Sequence, residues 1–266
     1  MNRQLLAYWA LCCLVSLFSC NNEPPKTTKP VVLESFKMQK REGADCDKPD
    51  SLRSNCVTIS LAWPSVKEGS EPLKKSVSSW TNNFLAGMML PSDSATATTT
   101  LDAAVHAFVQ SHHDWKKDAP ESMGSYYAES WDTVLCNDGK HLTLQLFGET
   151  YTGGAHGNHL AAVGTFDAQT GRQLTWADLV TDTAAVKALA EKTFREVRGD
   201  IFKPSEDGTP GFNFDDGFYF TLPQNYGLTD KGVYFYYMHY EVTPYALGST
   251  GFLIPFEALG GLRKKI

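Results

Sequence analysis

Three segments of the chain repeat apolar residues at intervals of three and four, which is the spacing of one face of an α-helix. They are residues 72–89, residues 101–115, and a segment from Thr183 to about Val197. Thr183 can cap the third helix, and Gly199 follows its end. We therefore predict three amphipathic helices. Their inward positions are Leu73, Val77, Trp80, Phe84 and Leu85; Leu101, Ala104, Val105, Phe108 and Val109; and Val186, Leu189, Ala190, Phe194 and Val197.

Other segments alternate apolar and polar residues, which is typical of strands. Residues 57–64 are rich in β-branched side chains and predict a strand that ends at Pro64. Residues 126–136 and 141–151 are joined by Asn-Asp-Gly-Lys, a sequence that favours a tight hairpin turn. In the second of these strands three leucines share one face, while His141, Thr143 and Gln145 share the other. We therefore expect the sheet to be half buried here.

The last third of the chain carries aromatic residues at strand spacing. After a hairpin with its turn at residues 168–172 and a short helical turn at residues 176–180, we predict strands at 217–222, 232–242 and 251–255. Residues 232–242 are apolar or aromatic on both faces, which indicates a central strand. Because helices and strands come in clusters rather than in strict alternation, we predict an α+β fold with mainly antiparallel sheets.

The first twenty residues have the pattern of an export signal. Arg3 gives a positive start, an apolar segment follows, and Leu-Phe-Ser-Cys ends at Cys20. This ending resembles the bacterial lipoprotein box, which implies cleavage before Cys20 and a diacylglycerol group on its sulfur. We predict a lipoprotein signal peptide at residues 1–19, and the lipidated cysteine with a Pro- and Thr-rich tether at residues 20–32. An ordinary signal peptide cut elsewhere is the alternative.

Composition and charge narrow the choice of partners. The 266 residues are 42% hydrophobic and 12% aromatic, enough for a packed core, and the net charge is −6. Cleavage would remove Arg3 and no acidic residue, which leaves 23 basic and 30 acidic residues and a net charge of −7. No basic stripe is present, so we expect no nucleic-acid partner. The predicted membrane contact is through lipid, at the periplasmic or surface face of the cell envelope.

The predicted mature body keeps three cysteines. Cys46 and Cys56 bracket a short loop before a strand, and an exported protein can join them in a disulfide, which leaves Cys136 unpaired. A zinc site that uses all three cysteines is the alternative, although no Cys-x-x-Cys pair occurs.

The segment Tyr-Thr-Gly-Gly-Ala-His-Gly-Asn-His at residues 151–159 is the first candidate for chemistry. Its glycines disfavour a helix, and residues three apart on an extended chain point to opposite faces, so His156 and His159 are not expected to share a metal. We interpret the segment as a bend made by glycines at positive φ or in close backbone contact, with His156 hydrogen-bonded beneath it. A metal or catalytic site is the alternative.

The remaining polar residues give no clear active site. We expect His112 and His113 to lie at a solvated helix end, and His239 to lie in the core of the aromatic strand. Asp215 and Asp216 are interpreted as turn acids, as are Glu206 and Asp207. Neither a nucleophile elbow nor a phosphate-binding loop occurs, so we predict no catalytic residue, no metal and no cofactor.

Tyrosines crowd the last fifty residues and supply the candidate ligand contacts. Most should be core residues, but a subset at the end of the aromatic strand and in the following loop can form an exposed platform. The candidate ligand-binding residues are His156, Tyr237, His239, Tyr240 and Tyr245.

The predicted tether, helices, strands and motifs together resemble a two-module exported family. Its most specific elements are the Gly-Gly-Ala-His turn and a closing pattern carried by Tyr240, Val242, Pro244, Tyr245, Ala246, Gly248, Ile254, Pro255 and Phe256. The pattern is similar to the outer part of RsiV-like lysozyme-sensing anti-sigma factors and to the N-terminal region of PdaC-like peptidoglycan deacetylases. The resemblance covers about residues 33–260 and implies two closely packed modules, at residues 33–158 and 159–266.

The chain departs from both relatives. A lipoprotein box takes the place of a membrane-spanning helix, and no deacetylase domain follows, so we expect neither anti-sigma signalling nor deacetylation. The family is defined largely as domains of unknown function. The resemblance implies non-enzymatic binding of a lysozyme-like protein or a peptidoglycan-type glycan. The alternative function is a metal-dependent or other envelope hydrolase that uses His156, His159 and a carboxylate.

Overall fold

A computed structural model describes residues 29–49, 52–90, 99–120, 124–214 and 217–265. The predicted signal peptide, Cys20, most of the tether, and the pair Asp215 and Asp216 lie outside these residues. No helix in the described part of the chain is both long enough and apolar enough to cross a membrane.

The first sheet has five strands in the order β1-β2-β3-β4-β5. The strands are β1 Val32–Glu42, β2 Val57–Glu68, β3 Tyr126–Asn137, β4 His141–Tyr151 and β5 Asn158–Asp167. Neighbours are antiparallel except for β2 and β3, which are parallel and are connected through two helices. These helices are α1 Glu71–Met89 and α2 Leu101–Asp118, which begin at the N-caps Ser70 and Thr100.

The helices α1 and α2 cover one face of the first sheet. Their apolar stripes pack on Val57, Ile59 and Leu61 of β2 and on Ala128 of β3. This confirms the helices that we predicted from the three-and-four spacing. The face of the sheet that points away from α1 and α2 is available to other parts of the chain.

The second sheet has three antiparallel strands in the order β6-β7-β8. The remaining elements are α3 Trp176–Leu179, α4 Thr183–Val197, β6 Asn225–Leu228, β7 Gly232–Tyr237, β8 Thr250–Pro255 and α5 Phe256–Leu259. The fully buried ring of Phe194 on α4 contacts Phe214, Phe220 and Tyr237. The architecture is therefore α+β with mainly antiparallel sheets, as predicted, and β7 is the predicted central strand.

The two sheets pack against each other across β4 and β5. The hydroxyls of Thr143 and Thr165 are 3.0 Å apart in this interface, and the side chain of Asn225 accepts a hydrogen bond from the Val163 amide at 3.0 Å. A Cβ atom at Gly227 would lie 2.5 Å from a methyl carbon of Thr143, so β6 needs glycine here. As a result β4 is buried on both faces, and the predicted half-buried sheet is wrong at residues 141–146.

Several predicted boundaries change. β2 continues past Pro64 because its pairing with β3 ends at Leu61, and a proline is tolerated where a strand has one neighbour. Residues 217–222 form no strand in the part that is described, and β7 ends at Tyr237 rather than at residue 242. Asp182, not Thr183, caps α4, and Val197 is half exposed.

β5 lies at the predicted division between modules. It begins at Asn158, so all but its first residue fall in the predicted second module, yet it hydrogen-bonds with β4 and completes the first sheet. β5 is the first strand of the hairpin predicted around residues 168–172. The returning strand is reduced to a bridge between Phe166 and Gln173, with a hydrogen bond from the Leu174 amide to the Thr165 carbonyl at 2.8 Å.

A disulfide joins Cys46 and Cys56, as predicted, in the loop between β1 and β2, with 4.9 Å between the Cα atoms. Because both sulfurs are bonded, the alternative zinc site that uses all three cysteines is wrong. Cys136 is free and buried, and burial raises the pKa of its thiol to about 11.

Candidate ligand-binding face

Part of the first sheet's outer face, beside the second sheet, is not covered by any helix or strand in the described part of the chain. Side chains alternate along a strand, so every second residue of β3 and β4 points away from α1 and α2. Three cross-strand pairs, Tyr127 with Tyr151, Glu129 with Glu149 and Trp131 with Phe147, lie on this side. We call these six residues the open face.

Aromatic rings dominate the end of the open face that adjoins the second sheet. Trp131 stacks on Phe147 with 5.5 Å between ring centroids, and Phe147 meets the edge of Tyr236 at 5.5 Å. Trp131 is 45% exposed, although it is held by these neighbours. A cavity of 210 Å³ lies here and is also lined by His159, His239 and Ser249.

The other end of the open face is polar. A cavity of 460 Å³ is lined there by Arg53, Thr58, Gly124, Ser125, Tyr127, Glu129, Glu149 and Tyr151. The ring of Tyr127 stacks on that of Tyr151 at 5.8 Å, and its hydroxyl donates to Glu149 Oε1 at 2.6 Å. Burial and this hydrogen bond raise the pKa of Tyr127 to about 12, so the hydroxyl stays protonated. The second carboxylate, that of Glu129, lies directly across the strand pair from Glu149.

The Gly-Gly-Ala-His segment forms the loop between β4 and β5. Gly153 and Gly154 adopt φ values of 94° and 101°, as the predicted bend requires. A Cβ atom at Gly157 would lie 3.0 Å from the Tyr127 hydroxyl, so this glycine permits close backbone contact, which was also predicted. His156 Nδ1 is 2.9 Å from the carbonyl oxygen of Gly157, but its side chain is exposed and not beneath the loop.

Four rings from three chain segments form a stack at the border of the open face. His156 stacks on Tyr245 at 4.2 Å, Tyr245 lies 4.7 Å from His239, and His239 stacks on His159 at 5.2 Å. We call these four residues the ring ladder. His159 Nδ1 also lies 3.7 Å from Glu149 Oε2, which links the ladder to the open face.

The ring ladder changes our interpretation of the two histidines. We predicted that His156 and His159 would point to opposite faces, but both reach Tyr245, with His159 at 6.5 Å. The reason is that the chain between them is curved by the glycine loop and is not extended throughout. In the described ranges no three His, Cys, Asp or Glu side chains are placed to hold a metal ion.

The other predicted candidate residues divide between core and surface. Tyr237 is only 1% exposed and donates to the Thr221 carbonyl at 3.0 Å, so it belongs to the core and is unavailable to a surface ligand. His239 lies in the turn after β7 and not in the strand, and it is half buried. Tyr240 is 63% exposed, adopts a φ of 65°, and lies 5.5 Å from Tyr245.

His112 is not at a solvated helix end. It is fully buried, 4.9 Å from the ring of Tyr126, and neither ring nitrogen has a hydrogen-bond partner among the described residues. Burial lowers its pKa, as do the nearby His113 and Lys116. Our prediction was wrong for two reasons. α2 continues to Asp118, so His112 is not at its end, and His112 lies four residues after Phe108, on the inward side where Ala104, Val105 and Val109 are also buried.

We did not predict the open face from the sequence. The alternation of Tyr127, Glu129 and Trp131 in β3 was a usable signal, because two aromatic residues and an acid share one side of that strand. The exposure of these side chains could not be predicted, since it depends on how much of the first sheet's outer face the second sheet covers.

Comparisons with known proteins agree with the fold. A family model described as "Protein of unknown function (DUF3298)" matches residues 177–257. A solved DUF3298 family structure from Bacteroides fragilis NCTC 9343 is similar at 21% identity and a TM-score of 0.61, and the match covers 90% of this chain and 96% of that one. A second DUF3298 family structure, from Pseudomonas aeruginosa PAO1, has 15% identity, a TM-score of 0.60 and the same coverage. A search of curated proteins found no match.

These similarities support a domain of unknown function and a shared fold. At such identities they carry no information on ligands or activity. The more specific resemblance to the RsiV-like and PdaC-like family stays a prediction.

Proposed function

We propose that this protein is a lipid-anchored, non-enzymatic receptor of the cell envelope, and that its open face binds a peptidoglycan-type glycan. The observation that carries the proposal is the exposed Trp131 ring, which stacks on Phe147 and lines the 210 Å³ cavity. A large aromatic ring that stays exposed on a supported strand offers apolar contact area at a small entropic cost.

The chemistry of the open face suits a sugar chain. The apolar side of a pyranose ring can stack on Trp131, while sugar hydroxyls and amides need hydrogen-bond partners beside it. Glu129 and Glu149 offer acceptors, and Arg53 and Ser125 lie in the same cavity. An apolar platform with a few polar groups that fix orientation is typical of sites for small ligands.

A basic, lysozyme-like protein is the second candidate ligand. The predicted mature chain has a net charge of −7, and two carboxylates lie across from each other on the open face. Such a surface favours a cationic partner, and it accelerates association at low salt.

The anchor is supported by the sequence pattern that ends at Cys20, and export is supported by the Cys46–Cys56 disulfide, since disulfides persist in exported proteins. Labelling of growing cells with a radioactive fatty acid tests it. We expect label on the wild-type protein and none on Cys20→Ser. Labelling of both proteins, or of neither, would contradict the anchor.

Calorimetric titration of the body from Asn21 onward tests the binding function. We expect saturable heat with muropeptides, and a loss of affinity of about tenfold or more in Trp131→Ala. Phe36→Ala is the matched control, because Phe36 is 46% exposed and packs on Trp63, which belongs to the helix-covered face of the first sheet. Affinity should be unchanged in this variant.

The same titration with lysozyme distinguishes the two ligand classes. Absence of heat with both ligands would remove the proposed function. Chromatography of the muropeptides after incubation tests the alternative hydrolase. Shortened products that are lost in His156→Ala would favour the enzyme over the receptor.

A further inference from the structure

We infer that the ring ladder is a pH-sensitive latch, which closes the loop between β4 and β5 at neutral pH and releases it in mild acid. The latch itself is a property of the fold. Its consequence for binding rests on the proposed function, because His159 and His239 also line the cavity beside Trp131.

The ladder connects segments that are distant in sequence. His156 belongs to the glycine loop, His159 lies at the start of β5, and His239 and Tyr245 follow β7. The Tyr245 hydroxyl adds a hydrogen bond to the Gly157 carbonyl at 3.3 Å. The ring contacts and this hydrogen bond thus connect the loop between β4 and β5 to the segment that follows β7.

Three of the four rings are imidazoles. Imidazoles are the side chains that ordinarily titrate between pH 5 and 8. When neutral they stack without charge repulsion, but neighbouring cations at the centroid distance of 5.2 Å between His159 and His239 repel each other. A ladder that is stable when neutral therefore becomes strained as protons are added.

The surrounding charges compensate only one end of the ladder. Glu149 on β4 faces His159, and Tyr127 on β3 donates to that same carboxylate. Glu241, in the turn after β7, accepts hydrogen bonds from the Gln224 and Met238 amides, and Tyr240 and Tyr236 contribute neutral phenols nearby. The Glu149 carboxylate thus faces His159, while both carboxylate oxygens of Glu241 are engaged by the Gln224 and Met238 amides.

The direction of the response follows from His239. Burial lowers its pKa, and the positive charges on His159 and His156 lower it further. Since the closed ladder resists protonation of His239 while the released ladder does not, acid favours release. Gly153 and Gly154, which adopt positive φ values, lie in the same loop, and glycine has the widest choice of backbone conformations for a change in this loop.

Hydrogen exchange of the wild-type body, without any ligand, tests the latch. We expect the protection factors of amides in residues 152–159 and 238–247 to fall about tenfold between pH 7.5 and pH 5.0. Protection factors correct for the pH dependence of intrinsic exchange, and amides of β4 serve as the internal reference. An equal fall in β4 would indicate global destabilisation and would overturn the latch.

His239→Phe keeps a stacking ring without a titratable nitrogen, so the loop should stay protected at pH 5.0. His156→Phe makes the same change at the other end of the ladder, and it replaces the first variant if that one does not fold. The control is His106→Phe, which alters an exposed histidine of α2 and should respond to acid like the wild type.

Three results would contradict the latch: unchanged wild-type protection at the two pH values, a full acid response in the ladder variants, or loss of the response in His106→Phe. Because the measurement contains no ligand, failure of muropeptide or lysozyme binding would leave its outcome unaffected.

Discussion

At the residue scale, His112 is the clearest conflict between a side chain and its surroundings. Both ring nitrogens are buried without hydrogen-bond partners among the described residues, and leaving such a group unsatisfied costs roughly 1–3 kcal/mol. The ring packs against Tyr126, which holds it in place. The folded protein therefore keeps this histidine uncharged and away from water. The same burial lowers its pKa from the ordinary value of 6.5.

His112 should make the protein sensitive to acid. As pH falls below 6.5, the unfolded chain binds a proton that the folded protein resists, so the free energy of unfolding falls with pH. His112→Leu should raise that free energy by about 1 kcal/mol at pH 7 and reduce its loss between pH 7 and pH 5. Urea denaturation at both pH values measures this. His106→Leu, at an exposed position of the same helix, should keep the wild-type pH dependence, and equal dependence in all three proteins would refute the role of His112.

At the element scale, the helices were predictable because each carries its own apolar stripe, as Leu73, Val77 and Leu85 show in α1. β1 was missed because most of its residues are exposed, so no alternation marks it in the sequence. β4 was found, but its second buried face depends on contacts with the second sheet, which the strand's own residues do not encode.

Two glycines give a test of how the elements meet. Gly171 has a φ of 69°, and a Cβ there would lie 2.4 Å from the Pro72 carbonyl oxygen at the start of α1. Gly171→Ala should therefore lower the free energy of unfolding by more than about 1 kcal/mol. Gly87→Ala, in α1 with open space around the added methyl group, should raise it by roughly 0.5–1 kcal/mol. Thermal denaturation of both variants measures the effect, and the same sign in the two would contradict this packing.

At the scale of the whole molecule, the second sheet covers one part of the first sheet's outer face and leaves the other part open. From the sequence we predicted His156, Tyr240 and Tyr245 as candidate ligand-binding residues, and they lie near the border of the open face. The contact between His159 and His239 could not be predicted from the sequence, since the two residues are 80 positions apart. It also could not distinguish the buried Tyr237 from its exposed neighbours, because that depends on where β7 ends.

The proposed receptor function depends on the open face being the surface that meets the ligand. The predicted mature body contains five of the six tryptophans: Trp63, Trp80, Trp115, Trp131 and Trp176. Of these, Trp131 is the one on the open face, which makes its indole N–H a specific reporter.

The most direct measurement is a nitrogen-15 NMR titration of the indole signals with muropeptides, and then with lysozyme. We predict that the Trp131 signal shifts with the affinity measured by calorimetry, while the signals of Trp63 and Trp80 stay in place. A static Trp131 signal at saturating ligand, or a shift confined to another tryptophan, would contradict it.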